Sequence, residues 1–113
     1  MHELSIAMGI VKIAEDETRK AGARSVELIE LEIGRLAGIE LDSLEFVWPV
    51  AVEGTVLNKA DKKINVIDGL ARCMDCQQQF KLEQVYDCCP ACGSGLKEVI
   101  KGKELRVLAL EVA

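Results

Sequence analysis

The sequence predicts an α/β fold of the α+β type, in which two helices pack on a small three-stranded sheet and a cysteine-rich domain is inserted. Two segments have the apolar spacing of amphipathic helices, and three are rich in the aliphatic residues of half-buried strands. All five cysteines lie between the second and third of these strands. With 113 residues, half of them apolar, the chain can form a compact core with a small appendage.

The first predicted helix runs from about Leu4 to Ala21. Its apolar residues form one broad face, whereas charged residues crowd its C-terminal half. The apolar positions are Leu4, Ile6, Ala7, Met8, Ile10, Val11, Ile13 and Ala14. Gly22 is a suitable end, because glycine readily adopts the backbone conformation that terminates a helix.

A strand and a second helix follow. Ser25 to Ile33 interleaves aliphatic residues with glutamates, which predicts a strand with one face packed on a helix. Asp42 or Ser43 is expected to cap a helix that ends at Gly54. Proline costs about 3 kcal/mol inside a helix, so we expect a kink or an early break at Pro49. The apolar positions of this helix are Leu44, Phe46, Val47, Val50 and Ala51.

Two further strands, Lys63 to Ile67 and Leu105 to Val112, complete the predicted sheet. The chain therefore divides into a body, residues 1–69 plus 103–113, and an inserted domain, residues 70–102. Acidic and basic residues balance in the insert, so the body carries the whole net charge of −5. The basic patch that a nucleic-acid-binding insert needs is missing.

The insert contains two matched cysteine pairs, Cys73-Met-Asp-Cys76 and Cys89-Pro-Ala-Cys92, separated by twelve residues. Four thiolates in two such knuckles can converge on one tetrahedral ion, and the spacing is near that of structural zinc sites. Iron bound by the same four sulfurs is an alternative to zinc. A disulfide framework is disfavoured because the start does not resemble a secretory signal, and a dithiol redox site needs one reactive pair rather than two.

Cys88 is the cysteine left over. Adjacent side chains of an extended segment point to opposite faces, so Cys88 and Cys89 cannot readily reach one ion. Cys89 is assigned to the metal site, because with Cys92 it repeats the spacing of the first pair. Cys88 is interpreted as a half-buried small side chain, with ligand exchange or oxidation as the alternative.

The single histidine is His2, in a start that reads Met1-His2-Glu3. The Met1 amine, the deprotonated His2 amide and the imidazole can close two fused rings around one ion, in the planar geometry that suits nickel(II) or copper(II). A solvated histidine on a frayed terminus is the alternative. Glu3 is a candidate side-chain ligand, although the helix dipole alone favours an acidic residue there. Glu40 is a candidate supplementary carboxylate, with a merely solvated glutamate as the alternative.

Charge and hydropathy exclude several classes of protein. No apolar run approaches the roughly 20 residues of a membrane span, so we expect a soluble, cytoplasmic protein. The net charge disfavours a general attraction to nucleic acid. An enzyme is disfavoured, because the only histidine is terminal and no pair of nucleophile and base stands out. For the oligomeric state, the sequence is compatible with a monomer and with a weak homodimer.

The N-terminal start, the two cysteine knuckles and several shorter segments together carry a family resemblance. The shorter segments are Ile33-Gly34, Gly38-Ile39, Ser43 to Phe46, Gly54-Thr55, Cys89 to Cys92 and Lys103 to Val107. Over its full length the chain resembles the hydrogenase nickel-insertion accessory proteins called HypA/HybF. The pairing of the start with the knuckles is specific, whereas either feature alone would be weak.

The resemblance implies a nickel metallochaperone with a nickel-binding α/β domain and an inserted structural zinc domain. It implies that His2 binds nickel together with the Met1 amine and the backbone around Glu3. The implied zinc ligands are Cys73, Cys76, Cys89 and Cys92. The implied partners are a nickel-handling maturation GTPase, the hydrogenase large subunit and, for some members, urease maturation proteins. Alternatives of other classes are a zinc-ribbon module for protein or nucleic acid and a four-cysteine iron electron carrier.

Overall fold

The computed structural model describes residues 2–113 and places them in two helices and six strands. The elements are α1 (His2–Lys20), β1 (Val26–Gly34), α2 (Leu41–Val52), β2 (Asp61–Ile67), β3 (Leu70–Cys73), β4 (Gln79–Lys81), β5 (Lys97–Lys101) and β6 (Leu105–Val112). The strands form two three-stranded sheets, with the orders β2-β1-β6 and β4-β3-β5. Neither helix of this described part is long and apolar enough to cross a membrane.

The two helices and the three-stranded sheet of the prediction are confirmed. The last strand has the predicted bounds, and β1 and β2 differ from their predictions by one or two residues. α1 begins at His2 rather than at Leu4, so His2 lies in the helix and not before it. Its N–H is therefore one of the amide groups at a helix start that have no partner within the helix.

The chain folds as two compact units. The first unit contains the residues up to Leu31 together with residues 39–64 and 107–113. Its buried apolar residues are Ala7, Ile10, Val11, Ala14, Val26, Ile29, Leu31, Leu44, Val47, Trp48, Val52 and Leu57. The predicted apolar face of α1 was too broad, because Met8 is 58% exposed and Ile13 is 47% exposed.

α2 differs from its prediction at both ends. No side chain caps its start: the residue before the helix is Glu40, and Asp42 lies within the first turn. The expected break at Pro49 was wrong, because the helix continues to Val52. A proline removes only one N–H from the helix, and the buried side chains of Trp48 and Val52 on either side of it hold this last turn in place.

The second unit contains residues 32–38 and 65–106. Its central strand β3 pairs in antiparallel fashion with β4 and β5, so that Ala71 lies opposite Phe80 and opposite Val99. The small core consists of Ala71, Cys73, Phe80, Leu82 and Cys89. These three strands were not predicted, because segments of three to five residues are too short for a hydrophobic period to emerge.

Gly34 and Gly102 lie backbone to backbone in the second unit. A Cβ atom at Gly34 would lie 1.9 Å from the carbonyl oxygen of Gly102, far inside van der Waals contact. Gly102 also has a φ angle of 121°, which side chains rarely allow. Both positions therefore require glycine, which gives the Ile33-Gly34 segment a structural role.

Candidate metal centres

The two cysteine knuckles repeat one backbone design. In the first, the N–H of Gln77 donates to the carbonyl oxygen of Cys73 at 3.0 Å. In the second, the N–H of Gly93 donates to the carbonyl oxygen of Cys89 at 2.7 Å. The residue after each second cysteine has a positive φ, 66° at Gln77 and 77° at Gly93. Each loop thus turns tightly enough to bring its own two cysteines together.

The four predicted ligand sulfurs gather at one point. The Sγ atoms of Cys73 and Cys92 are 3.5 Å apart, and those of Cys76 and Cys89 are 3.7 Å apart. All four lie within 4.8 Å of one another. A tetrahedral zinc ion with Zn–S bonds of about 2.3 Å requires S–S distances of about 3.8 Å. The donor set and its spacing are consistent with structural zinc.

The thiols of this cluster do not ionise alike. The backbone N–H of Cys76 lies 3.5 Å from the Cys73 sulfur and is the main cause that lowers the pKa of Cys73 to about 7. For Cys92, the Ser94 backbone N–H lowers the pKa, but hydrogen bonding to Cys73 and the other thiols outweighs it and raises the pKa to about 12. A bound dication would remove this asymmetry, since coordinated thiols are deprotonated.

Cys88 lies outside the cluster. The group of converging ligand atoms in residues 2–113 contains the other four cysteines and not this one. The Cys88 side chain is exposed, so its interpretation as half-buried was wrong. It follows Asp87 in a segment without regular structure, where Cys88 faces solvent while Cys89 points into the small core.

The N-terminal candidate site is built around the carboxylate of Glu3. Its Oε2 lies 3.2 Å from Nδ1 of His2 and accepts a hydrogen bond of 3.2 Å from the backbone N–H of Glu40. The His2 side chain is 60% exposed, whereas that of Glu3 is only 8% exposed. A fixed carboxylate therefore holds one ring nitrogen of an imidazole that is otherwise open to solvent.

The contacts of Glu3 stabilise its charged form. The Glu40 N–H is the largest cause that lowers the pKa of Glu3, and the nearby His2 adds to it, while burial acts in the opposite direction. Glu3 is therefore ionised throughout the physiological pH range. Its carboxylate can hold a neutral or a charged imidazole and can stand beside a bound cation.

The model of the family described as hydrogenase/urease nickel incorporation, metallochaperone, hypA, matches residues 1–112. The chain belongs to the HypA family. Members of this family are metallochaperones, accessory proteins of nickel incorporation, and a convergent cluster of four cysteines agrees with a metal-binding protein.

Individual HypA family proteins match over almost the whole chain. The hydrogenase maturation factor HypA of Parabacteroides distasonis is 44% identical over 112 residues, covering 99% of this chain and 97% of the relative. That of Geotalea uraniireducens is 43% identical and covers 99% of both chains. The solution structure of the nickel metallochaperone HypA from Helicobacter pylori has a TM-score of 0.70 at 25% identity, covering 99% of this chain and 97% of the other.

The structure of the present chain brings some of the predicted site residues together and not others. The four knuckle cysteines are brought together, and His2 lies beside Glu3. Met1, whose amine is part of the predicted nickel chelate, lies outside the described residues. Glu40 contacts Glu3 through its backbone N–H, a contact that was not predicted from the sequence. The anchoring role of Glu3 was also missed.

A sequence signal for that anchoring role existed. Glu3 shares the buried face of α1 with Ala7, Ile10 and Ala14, at helical spacing. A carboxylate on an apolar helix face is rarely buried without a partner. Its position therefore indicated that a hydrogen-bond donor must come from elsewhere in the chain.

Proposed function

We propose that this HypA family protein binds nickel(II) through the Met1 amine, the His2 amide and the His2 imidazole, and carries the ion to the maturing hydrogenase. The observation that carries the proposal is the exposed His2 imidazole, fixed at Nδ1 by a buried carboxylate. A carrier must bind its ion and also release it. An open site at a chain terminus suits that task better than a closed cage of ligands.

In this proposal, Nδ1 of His2 has two alternative partners, the nickel ion and the Glu3 carboxylate. A chelate ring that contains the His2 amide nitrogen closes through Nδ1, because Nδ1 is the ring nitrogen nearer the backbone. In the structure, Nδ1 lies 3.2 Å from Oε2 of Glu3. Nickel binding therefore replaces this contact and leaves the Glu3 carboxylate next to the ion, where it can serve as a further ligand or neutralise charge.

The insert has a separate role in the proposal. Residues 70–102 form a zinc domain whose ligands are Cys73, Cys76, Cys89 and Cys92, and residues 1–69 plus 103–113 form the nickel domain. The insert has a core of only five buried residues, so zinc supplies much of its folding free energy. Zinc is thus the resident metal and nickel the cargo.

The proposed partners follow from what nickel incorporation requires. The proteins that exchange nickel with this chain are a nickel-handling maturation GTPase and the hydrogenase large subunit. Urease maturation proteins are a second set of partners. The family description, which names both hydrogenase and urease, supports this choice. We further propose that the protein works in the cytoplasm as a carrier without catalytic activity of its own, as a monomer or a weak homodimer.

Nickel titration of the untagged, zinc-loaded protein tests the proposed function. We expect one tight nickel site per chain in the wild type and its loss in His2→Ala, because the imidazole closes the second chelate ring. Ser5→Ala is the matched control, since Ser5 is exposed in the same helix. The control should bind nickel like the wild type, and zinc content should be equal in all three proteins. Tight nickel binding by His2→Ala would contradict the proposal.

A further inference from the structure

The solvent side of α2 carries a ridge of three exposed apolar residues, Phe46, Pro49 and Val50, here called the α2 ridge. Positions three and four residues apart are neighbours on a helix surface, so the three side chains adjoin. Phe46 is 82% exposed and Val50 is 70% exposed. Adjoining exposed apolar side chains of this size are typical of protein-binding surfaces.

Acidic residues border the α2 ridge at both ends. Asp42 lies one helical turn before Phe46, and Glu53 lies one turn after Val50. Both are exposed and neither has an ion-pair partner within residues 2–113. α2 itself contains no lysine or arginine. An apolar centre with an acidic rim complements an apolar pocket with a basic rim.

The α2 ridge lies about one and a half to two and a half helical turns beyond Leu41, the end of α2 that follows Glu40. α2 starts at Leu41, directly after Glu40. The N–H of Glu40 bonds to the Glu3 carboxylate at 3.2 Å, and that carboxylate lies 3.2 Å from the His2 imidazole. A protein that contacts α2 from the ridge back to Leu41 would therefore border His2, which is the arrangement that direct transfer requires.

We propose that the α2 ridge docks the protein that exchanges nickel with His2, through an apolar pocket rimmed by lysine or arginine. The proposal rests on the proposed function, because it takes His2 as the nickel ligand. Charge favours this occupant over others. A second copy of the chain would bring one acidic rim against another, and nucleic acids and anionic membranes would be repelled.

A binding titration tests the docking role of the α2 ridge. The full-length, zinc-loaded chain is titrated with the purified nickel-handling GTPase and, separately, with the hydrogenase large subunit. We expect Phe46→Ser to raise the Kd for at least one of them by about tenfold or more, because buried aromatic anchors dominate interfaces. Tyr86→Ser is the matched control, since Tyr86 is also an exposed aromatic, at 75%, but lies in the second unit. It should leave both Kd values unchanged.

Reversing the rim charge supplies an independent measurement. Asp42→Lys combined with Glu53→Lys should lower the association rate constant of the same partner by about tenfold at low salt, and added salt should reduce the difference. Both residues are exposed, so the fold should persist. Equal association rates for this variant and the wild type would contradict the proposed basic rim.

Two outcomes overturn the proposal. One is a loss of affinity in Phe46→Ser no larger than that in Tyr86→Ser for both partners. The other is sedimentation in which Phe46→Ser dissociates a homodimer, which would make a second copy the occupant. Nickel titration of the same samples separates this proposal from the proposed function. Phe46→Ser should bind nickel like the wild type, whereas unimpaired nickel binding by His2→Ala would remove the proposed function itself.

Discussion

At the scale of single residues, Glu3 links the start of the chain to the rest of the first unit. Its carboxylate accepts the N–H of Glu40, thirty-seven positions away, and contacts the imidazole of His2. A terminal histidine would otherwise be among the most mobile groups of a protein. The contact with Glu3 limits this freedom, and in the proposed nickel site Nδ1 exchanges this contact for the ion.

The charge of Glu3 predicts a specific pH dependence of stability. Its pKa lies below the ordinary value of 4.5 in the folded protein, mainly because of the Glu40 N–H. Its contribution is therefore complete above pH 4.5 and is lost as the pH falls through the lower folded pKa. We expect Glu3→Gln to be less stable than the wild type near neutrality and the difference to vanish in acid. Urea unfolding at several pH values measures it.

Glu27→Gln is the control for this experiment, because Glu27 is an exposed carboxylate on β1. The profile of this control should follow that of the wild type. If the free energies of unfolding of the wild type and Glu3→Gln differed by the same amount from neutrality down to acid, the charge of Glu3 would not contribute to stability.

Thr18 provides a second prediction for a single residue. Its side chain is 2% exposed, and its Oγ1 has no hydrogen-bond partner within residues 2–113. A buried hydroxyl without a hydrogen-bond partner lowers the stability of the folded protein by about 1–3 kcal/mol. Valine has the same shape as threonine but carries a methyl group in place of the hydroxyl. We therefore expect Thr18→Val to raise the free energy of unfolding by about 1 kcal/mol in urea titrations.

Thr55→Val is the matched variant with the opposite expected sign. The Thr55 hydroxyl donates to the carbonyl oxygen of Val52 at 2.7 Å and accepts the N–H of Leu57 at 3.1 Å. Its removal should lower the free energy of unfolding by about 1 kcal/mol. A destabilisation of equal size in Thr18→Val would indicate that Oγ1 does have a bonding partner.

At the scale of elements, the two knuckles are short loops whose backbone hydrogen bonds set the cysteine positions. Each loop has the same bond between the residue after its second cysteine and the carbonyl oxygen of its first. The second loop has glycine at the positive-φ position, whereas the first has Gln77. The sulfur cluster thus depends on local turns, and the three short strands provide the surface on which the turns rest.

Cys88 and Cys89 are neighbours in the chain, and substituting each of them tests which one is a zinc ligand in the second knuckle. Cys89 is buried within the sulfur cluster, and Cys88 is exposed outside it. We expect Cys88→Ser to retain one zinc ion per chain and Cys89→Ser to lose it when challenged with a chelator, because three thiolates hold zinc less tightly than four. Elemental analysis after dialysis measures zinc content. Zinc retention by Cys89→Ser together with its loss in Cys88→Ser would reverse the ligand assignment.

At the scale of the whole molecule, much of the fold was predictable because long amphipathic segments carry strong periodic signals. α1 and β1 were located within two residues, and β6 was located at its observed bounds. The start of α2 was mispredicted because Glu40 occupies the N-cap position and no side chain makes a capping hydrogen bond there. The strands of the insert were missed because they are short and flank turns.

The candidate sites were predictable to different degrees for a physical reason. Zinc knuckles have ligands close together in sequence, so the pairing of Cys73 with Cys76 is visible without a structure. The contact between Glu3 and Glu40 joins distant segments, and no local pattern encodes it. The exposure of Phe46 was likewise hidden, because an apolar residue in an amphipathic helix is expected to face the core.

The proposed nickel site depends on a chelate that includes a free N-terminal amine. Its most direct test is a calorimetric nickel titration of two zinc-loaded proteins that carry the same short Gly-Ser extension, one at the N-terminus and one at the C-terminus. We expect the C-terminal extension to bind one nickel ion tightly and the N-terminal extension to lose tight binding, with one zinc ion per chain in both. Equally tight nickel binding by the two proteins would show that the N-terminal amine is not a ligand.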